Sequence, residues 1–447
     1  MPDKTSRPNI LLFLLPLTLL FCLIATPTRR AHQQNPSKQE AKQEAKQESK
    51  PKIQPVSSHV ILITISGLRS DFVTGADSHR TRTPAIQSLR SRGAHAVGVE
   101  SVFPSQTIPA HAAMITGSLP ADHGVTSDYS FDEKNALQSK EPYKSVGAIK
   151  TDTIFELARR TNLVTAAVGF PLTTDAAITF NLPDTTEDSS KASAAADIIE
   201  KHRPNLLLIN FTSFDAAQRR YGLLSEESLK SLEMVDGLIK KITDAVEGAR
   251  MAEETIFIVL SDSGASKVEK EFSPNVMLAK KGWLTSDAQG RIVSWRAVAQ
   301  SFGGSAAIFV KDPQDEGFGR ELEAFFNQQA EKPDSPIWRV IPKRDAPKLG
   351  ADPRVALYLD AAPSYAISPK TTGSSITNIP KAADRTARGY APSRAEMRAA
   401  FIIAGNGIKS GAQVEYARLI DVAPTIARLL GLEMKTARGR VIAEVIK

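Results

Sequence analysis

Five uninterrupted apolar runs punctuate the chain: "VILITI" at 60–65, "LVTAAVGF" at 163–170, "NLLLINF" at 205–211, "TIFIVLS" at 255–261 and "AAFIIAG" at 399–405. Each has the length of a strand. None shows the apolar–polar alternation of a strand with one wet face, so each reads as buried on both sides. Between them lie stretches with apolar positions at helical spacing: "TPAIQSLRSRG", "DTIFELARRT", "ASAAADIIEKH", "LSEESLKSLEMVDGLIKKITDAVEG" and "YARLIDVAPTIARLLG". Several open on Thr, Asp or Ser and close near Gly or Asn, residues that satisfy the loose amides and carbonyls of helix ends. Doubly buried strands alternating with helices predict an α/β fold with a central, mostly parallel sheet flanked by helices. From about 266 to 388 the pattern is less regular and richer in Pro and Gly, and a smaller inserted lobe is expected there.

The amino terminus follows another pattern. Lys4 and Arg7 precede "ILLFLLPLTLLFCLIA", a basic stretch followed by an apolar one, which makes residues 1–30 a signal peptide or signal anchor. The apolar stretch is short for a membrane span and is interrupted by Pro16. Residues 31–57 read as a polar, charged linker. Its repeat "SKQEAKQEAKQESKPK" stacks Lys42, Lys46 and Lys50 four apart, and Glu40, Glu44 and Glu48 likewise, so like charges align and a helix is disfavoured. The domain proper is expected over 58–447, exported to a periplasmic or other extracytoplasmic space. It is tethered to the membrane if the anchor is not cleaved.

Charge supports that division. The formal net charge is +7, but residues 1–58 hold nine Lys/Arg and four Asp/Glu and so supply most of it. No dense basic stripe interleaved with aromatics follows, which argues against a nucleic-acid duplex as partner. The single cysteine, Cys22, excludes an internal disulfide and a cysteine-based metal site.

In open α/β sheets the chemistry collects at the carboxyl ends of the strands. Four segments belong there: "TISGLRSD", "SVFPSQTIPAHAAMITGSLPADHGV", "INFTSFDAAQRRYG" and "IVLSDSGASKVEK". A fifth, "TARGYAPSRAEMRAAFIIAGNGI", precedes the last strand. In this order the five resemble the nucleotide pyrophosphatase/phosphodiesterase branch of the alkaline phosphatase superfamily. The resemblance runs from about 58 to 445 and includes the late "LIDVAPTIARLLGL". It implies an alkaline phosphatase-like sheet, phosphodiester or phosphomonoester hydrolysis, two zinc ions and a Thr or Ser nucleophile.

Carried over residue by residue, the resemblance places the nucleophile at Thr107. The asparagine often found three residues later is Ala110. The aspartate expected after the first strand is Ser66. The motif Asp-x-x-Gly-His appears as Asp215 through Arg219, and Ser-Asp-His-Gly as Ser261-Asp262-Ser263-Gly264. The last metal histidine falls on Arg388 of "RGY". Of the six metal ligands the family implies, Asp215 and Asp262 are retained, while Ser66, Arg219, Ser263 and Arg388 replace the others. All seven histidines lie at or before His202, ahead of every position where the family places a metal histidine.

Electrostatics then sets the expectation for cofactors. A zinc ion about 4 Å from one guanidinium meets roughly 8 kcal/mol of repulsion at an effective dielectric of 20. No zinc is therefore expected. Two arginines facing two aspartates leave two arrangements open. In one, Thr107, Arg219 and Arg388 line a pocket that binds a phosphate-type anion, since guanidinium forks suit phosphate. In the other, the arginines pair with Asp215 and Asp262 and close the old site, because buried acids need partners. Thr107 also has the position of an N-cap for "IPAHAAMITG", no general base is evident beside it, and His111 and His123 read as satisfied structural histidines. The functional expectation is a pseudoenzyme. The alternatives are an active phosphodiester or pyrophosphate hydrolase using Thr107 with an altered metal site, and an interaction scaffold with a vestigial pocket.

Overall fold

The computed structural model describes residues 53–447 apart from 76–78, 80, 185–186 and 381. The expected leader (1–30) and most of the linker lie outside the described residues. No described helix is long and apolar enough to cross a membrane. Among the described residues, hydrogen bonds to the domain begin at Gln54, whose carbonyl accepts from Arg428 Nη1 at 3.0 Å, and continue at Val56, whose amide donates to Leu429 O.

The apolar runs form the centre of an eight-stranded sheet. Its strands are β1 (His59–Ile65), β2 (Ala94–Ala96), β3 (Thr165–Val168), β4 (Phe180–Leu182), β5 (Leu206–Phe211), β6 (Thr255–Leu260), β7 (Phe401–Gly405) and β8 (Gln413–Val414). They lie in the order β8-β2-β7-β6-β1-β5-β3-β4. β1 runs parallel to both neighbours, Leu62 lying opposite Leu208 and Ile258. β3 and β4 continue the parallel array, while β7 is antiparallel to β6. The sheet is therefore mostly parallel, as the buried runs predict.

Both faces are covered. The helices are α1 (Pro84–Arg92), α2 (Thr107–Thr116), α3 (Ile154–Arg160), α4 (Asp188–His202), α5 (Ser213–Tyr221), α6 (Glu226–Gly248) and α7 (Val422–Leu429). Val60, Leu62, Leu208 and Ile258 pack with apolar residues of α2, α3 and α7. The alternate residues Ile61, Ile63, Leu207 and Val259 pack with α1, α4 and α6. The strand's period of two thus feeds two separate cores from one apolar run.

Helix ends explain the local boundaries. Thr153 and Glu156 close a capping box on α3, and Ser225 accepts from the Ser228 amide at the start of α6. Thr83 does not cap α1. Asp236 of α6 takes that role, accepting from the amides of Ala85 at 3.0 Å and Ile86 at 2.8 Å. The last helix is shorter than its sequence pattern. Ala417–Arg418 pair with Val99–Glu100 as strands, and α7 begins at Val422. Pro424 accounts for this, because proline fits a first helical turn and breaks an interior one.

Residues 266–387 build three further sheets. Ala297–Ser301, Ser305–Val310, Leu357–Ala361 and Ile337–Pro342 form a four-stranded antiparallel sheet in that spatial order. The helix Glu316–Ala330 buries Phe318, Leu322 and Phe326 in the core it shares with that sheet. Ser266–Phe272, which follows β6, pairs with Thr386–Ala387, and this short bridge delivers Arg388 to the carboxyl edge of the main sheet.

Candidate functional site

The site assembles where β1, β5 and β6 end. Ser66 follows β1, and Gly67 turns the chain with φ of +76°. A Cβ there would stand 3.0 Å from Asp215 Oδ1 and 3.3 Å from Arg388 Nη2, so the position needs glycine for both its dihedral and its space. Asp262 follows β6 and is fully buried. Its Oδ1 accepts from the Gly67 amide at 3.0 Å and the Ser263 amide at 2.8 Å.

Past β5, Asp188 fixes the start of α5. It accepts from the amides of Thr212 at 2.9 Å and Ser213 at 2.8 Å, and the buried Lys191 ammonium balances its charge at 3.1 Å. α5 then carries Asp215 and Arg219 one turn apart on the same face, and Arg219 Nε lies 3.2 Å from Asp215 Oδ2.

Arg388 joins these elements. Gly304 donates to its carbonyl at 2.7 Å and Gly389 donates to Ser105 O at 3.0 Å, so the backbone is pinned on both sides. The guanidinium enters between the two aspartates. Nη1 donates to Asp262 Oδ2 at 2.5 Å and to Thr107 Oγ1 at 2.7 Å, and Nη2 pairs with Asp215 Oδ1. Burial works against the charge of Arg388, but Asp215 and Asp262 outweigh it and raise its pKa. Burial likewise pushes the Asp262 carboxyl up, and the Arg388 guanidinium overcomes that and holds it below its ordinary value.

Thr107 is the first residue of α2, and Gln106 takes the N-cap position, so the threonine is not the cap that its sequence position suggests. Its hydroxyl turns outward instead. It accepts from Arg388 and donates to Asp262 Oδ2 at 3.0 Å. A carboxylate therefore does lie within reach of the Thr107 proton, contrary to the reading that none is present. The guanidinium that holds its pKa down makes it a weak base.

Of the other replaced positions, Arg219 joins this network only through Asp215, and the side chains of Ser66 and Ser263 take no part in it. Ser263 donates to Gly264 O at 3.1 Å, and Ser66 reaches Asn210 Oδ1 at 3.4 Å. Arg219 is half exposed and extends toward Asp384 Oδ2 at 3.9 Å. Ala110 is buried inside α2. His111 supports α2 from behind, with Nδ1 at 2.8 Å from Thr107 O. His123 is buried, its Nδ1 accepts from the Val125 amide, and burial lowers its pKa to about 3.

The fold adds a residue that sequence motifs leave out. Asp128 approaches the start of α2 and accepts from the Ile108 amide at 2.8 Å, while its own amide donates to Gln106 Oε1 at 3.1 Å. Burial raises its pKa to about 6, against the opposing pull of the Ile108 amide and Arg388. Nothing in "TSDYSFD" marks this acid. Only the return of the chain past α2 brings position 128 against position 108.

A cavity of about 580 Å³ opens over this arrangement, with Thr107, Asp128, Asp215, Arg219, Phe302 and Arg388 in its wall. The residues present do not fit a dizinc centre. Both retained carboxylates are held by Arg388, and no group of three or more His, Cys, Asp or Glu that could hold a metal occurs among the described residues.

Comparison with known proteins agrees with this architecture. A family model described as type I phosphodiesterase / nucleotide pyrophosphatase matches residues 60–374. Human ectonucleotide pyrophosphatase/phosphodiesterase family member 1 is 23% identical over 397 residues, which cover 83% of this chain and 40% of that protein. An uncharacterized pyrophosphatase/phosphodiesterase of Schizosaccharomyces pombe is 27% identical over 308 residues, 65% of this chain and 59% of that one. The chain thus spans roughly half the length of these curated relatives. Among solved structures, an inactive variant of murine ectonucleotide pyrophosphatase/phosphodiesterase 5 in complex with AMP superposes with a TM-score of 0.70 at 17% identity. That match covers 87% of this chain and 100% of the murine one.

Proposed function

The chain belongs to the type I phosphodiesterase / nucleotide pyrophosphatase family, a branch of the alkaline phosphatase superfamily, and we propose that it is a pseudoenzyme whose dimetal centre has given way to an internal ion-pair clamp. One observation carries this reading: the Arg388 guanidinium seated between Asp215 and Asp262 and hydrogen-bonded to Thr107. A guanidinium can stabilise a transferring phosphoryl group, but it does not lower a hydroxyl pKa as a coordinated metal does. The Thr107 oxygen is already engaged on both sides, and the acid beside it is a weak base. The protein is proposed to carry no resident zinc and to act outside the cytoplasm, delivered by residues 1–30. The "ecto" in the names of relatives supports that location.

A phosphate-type anion is the ligand expected from the sequence. Arg219, half exposed at the cavity wall, is the guanidinium that would meet it, because Arg388 is already engaged. AMP in the murine structure supports a nucleotide as the first probe of that second reading.

The test is elemental analysis of the full chain purified without chelators, together with turnover of a bis-aryl phosphate before and after zinc addition. Substoichiometric zinc and no turnover are expected. Stoichiometric zinc, or turnover abolished by Thr107→Ala, overturns the proposal.

A further inference from the structure

The two arginines of the cavity wall are in different states. Arg388 is engaged by Asp215, Asp262 and Thr107. Arg219 is half exposed and keeps its fork open. Its Nε lies 3.2 Å from Asp215 Oδ2 and its Nη1 stands 3.9 Å from Asp384 Oδ2, and neither terminal nitrogen makes a hydrogen bond among the described residues. Asp384 is 64% exposed, and so loose a surface pair contributes little. Phosphate presents a guanidinium with two parallel acceptor oxygens, which a carboxylate at that distance does not. Of the other acids in the wall, Asp215 is held by Arg388 and Glu271 by Lys370. Asp128 keeps its charge at the start of α2, so the seat for an anion lies on the α5 side, at Arg219, rather than against Thr107.

That seat decides which wall receives the rest of a ligand. Thr107 borders two cavities, the large one and a neighbour of about 290 Å³ walled by Ile108, Tyr143, Phe170 and Leu172. Arg219 borders the large cavity and not its neighbour. The large cavity is also bordered by Tyr129, from the segment after α2, and by Phe302, Ala366 and Ile379 of the inserted lobe. Tyr129, Ala366 and Ile379 are half-buried, so part of their apolar surface is open to a ligand. An apolar wall with one charged anchor is the usual make-up of a small-molecule site.

We propose that the inserted lobe, through Phe302, Ala366 and Ile379 together with Tyr129, forms a subsite for the organic part of the anionic ligand. The ligand class is a phosphate monoester with an aromatic or other flat apolar body, its phosphate on the Arg219 fork. This inference rests on the anion reading of the cavity and adds to it the wall that selects the ligand.

Calorimetric titration of the full chain at pH 7.5 tests it, with inorganic phosphate, phenyl phosphate and naphthyl phosphate as probes. The wild type is expected to bind naphthyl phosphate about tenfold tighter than phosphate, the gain from taking part of a ring out of water. Arg219→Gln is expected to lose all three probes. Tyr129→Ala and Ile379→Ala are expected to remove the advantage of the aryl esters and to leave phosphate binding unchanged. They lie on different segments, so a variant that fails to fold leaves the other as the test. Tyr143→Ala, in the neighbouring cavity, is expected to change nothing. Aryl esters that bind no tighter than phosphate, or an advantage lost in Tyr143→Ala and kept in Tyr129→Ala and Ile379→Ala, overturn the inference while phosphate binding upholds the anion reading. Binding of no probe by the wild type removes both.

Discussion

Truncating Arg388 to alanine is the most direct perturbation of the clamp. The guanidinium side chain is 13% exposed and touches Asp262, which is 0% exposed, and Asp215, which is 11% exposed. Removing one partner of a buried ion pair typically costs about 3–5 kcal/mol, because the remaining charge is left desolvated. Two acids lose their partner here. Asp215 keeps Arg219, however, and Asp262 keeps the Gly67 and Ser263 amides, so a total of about 3–5 kcal/mol is expected rather than twice that. The pH dependence carries a second signature. In the wild type Asp262 has its pKa depressed, so it contributes stability above its unfolded value of about 3.9 and loses it as pH falls through the folded value. In Arg388→Ala the largest influence opposing burial is gone, leaving His111, the Gly67 amide and Thr107, so that pKa moves up, the acid destabilises the variant at neutral pH, and the cost is relieved as it protonates. The gap between the proteins is therefore widest near pH 7.5 and narrows toward pH 4. Urea unfolding followed by the fluorescence of Trp283, Trp295 and Trp338 reads both quantities. A loss below about 1 kcal/mol at pH 7.5, or a gap that does not change with pH, would refute the account of Arg388 as a structural replacement for metal.

Two further changes test the surroundings of the clamp. Gly67→Ala forces an L-residue to a φ of +76° and brings its Cβ to 3.0 Å from Asp215 Oδ1, so a loss of about 2 kcal/mol in the same urea assay is expected. A neutral outcome there would mean that Asp215 yields to the added Cβ without cost. His123 has a folded pKa of about 3 against about 6.5 unfolded, so the unfolded chain binds a proton first and stability falls as pH drops below 6.5. Between pH 7 and 5 this one group accounts for about 2 kcal/mol. His123→Leu should remove that part of the acid slope, and an unchanged slope would disprove it.

The difference between legible and illegible features follows from the range of the interactions involved. The α/β class, the five central strands and their flanking helices are written locally, as runs of about six apolar residues and capped helical repeats, because burial on both faces of a sheet leaves no other use for such runs. That Ser66, Arg219, Ser263 and Arg388 depart from the ligand set implied by the family resemblance is equally legible in the chain, since an absent imidazole can be counted in the sequence. Even the late start of α7 was available from Pro424.

Charge pairing across the site belongs to the fold alone. Asp215, Asp262 and Arg388 are separated by tens to more than a hundred residues, and the choice between a ligand-facing guanidinium and an ion-paired one depends on where the 386–390 segment comes to rest. Asp128 is the clearest case. Its role follows from its contact with the Ile108 amide, a proximity that only the folded return of the chain creates. Composition and periodicity therefore specify the scaffold. Electrostatic interactions decay over a few ångströms of space regardless of sequence separation, so the tertiary structure decides which charges pair at the site.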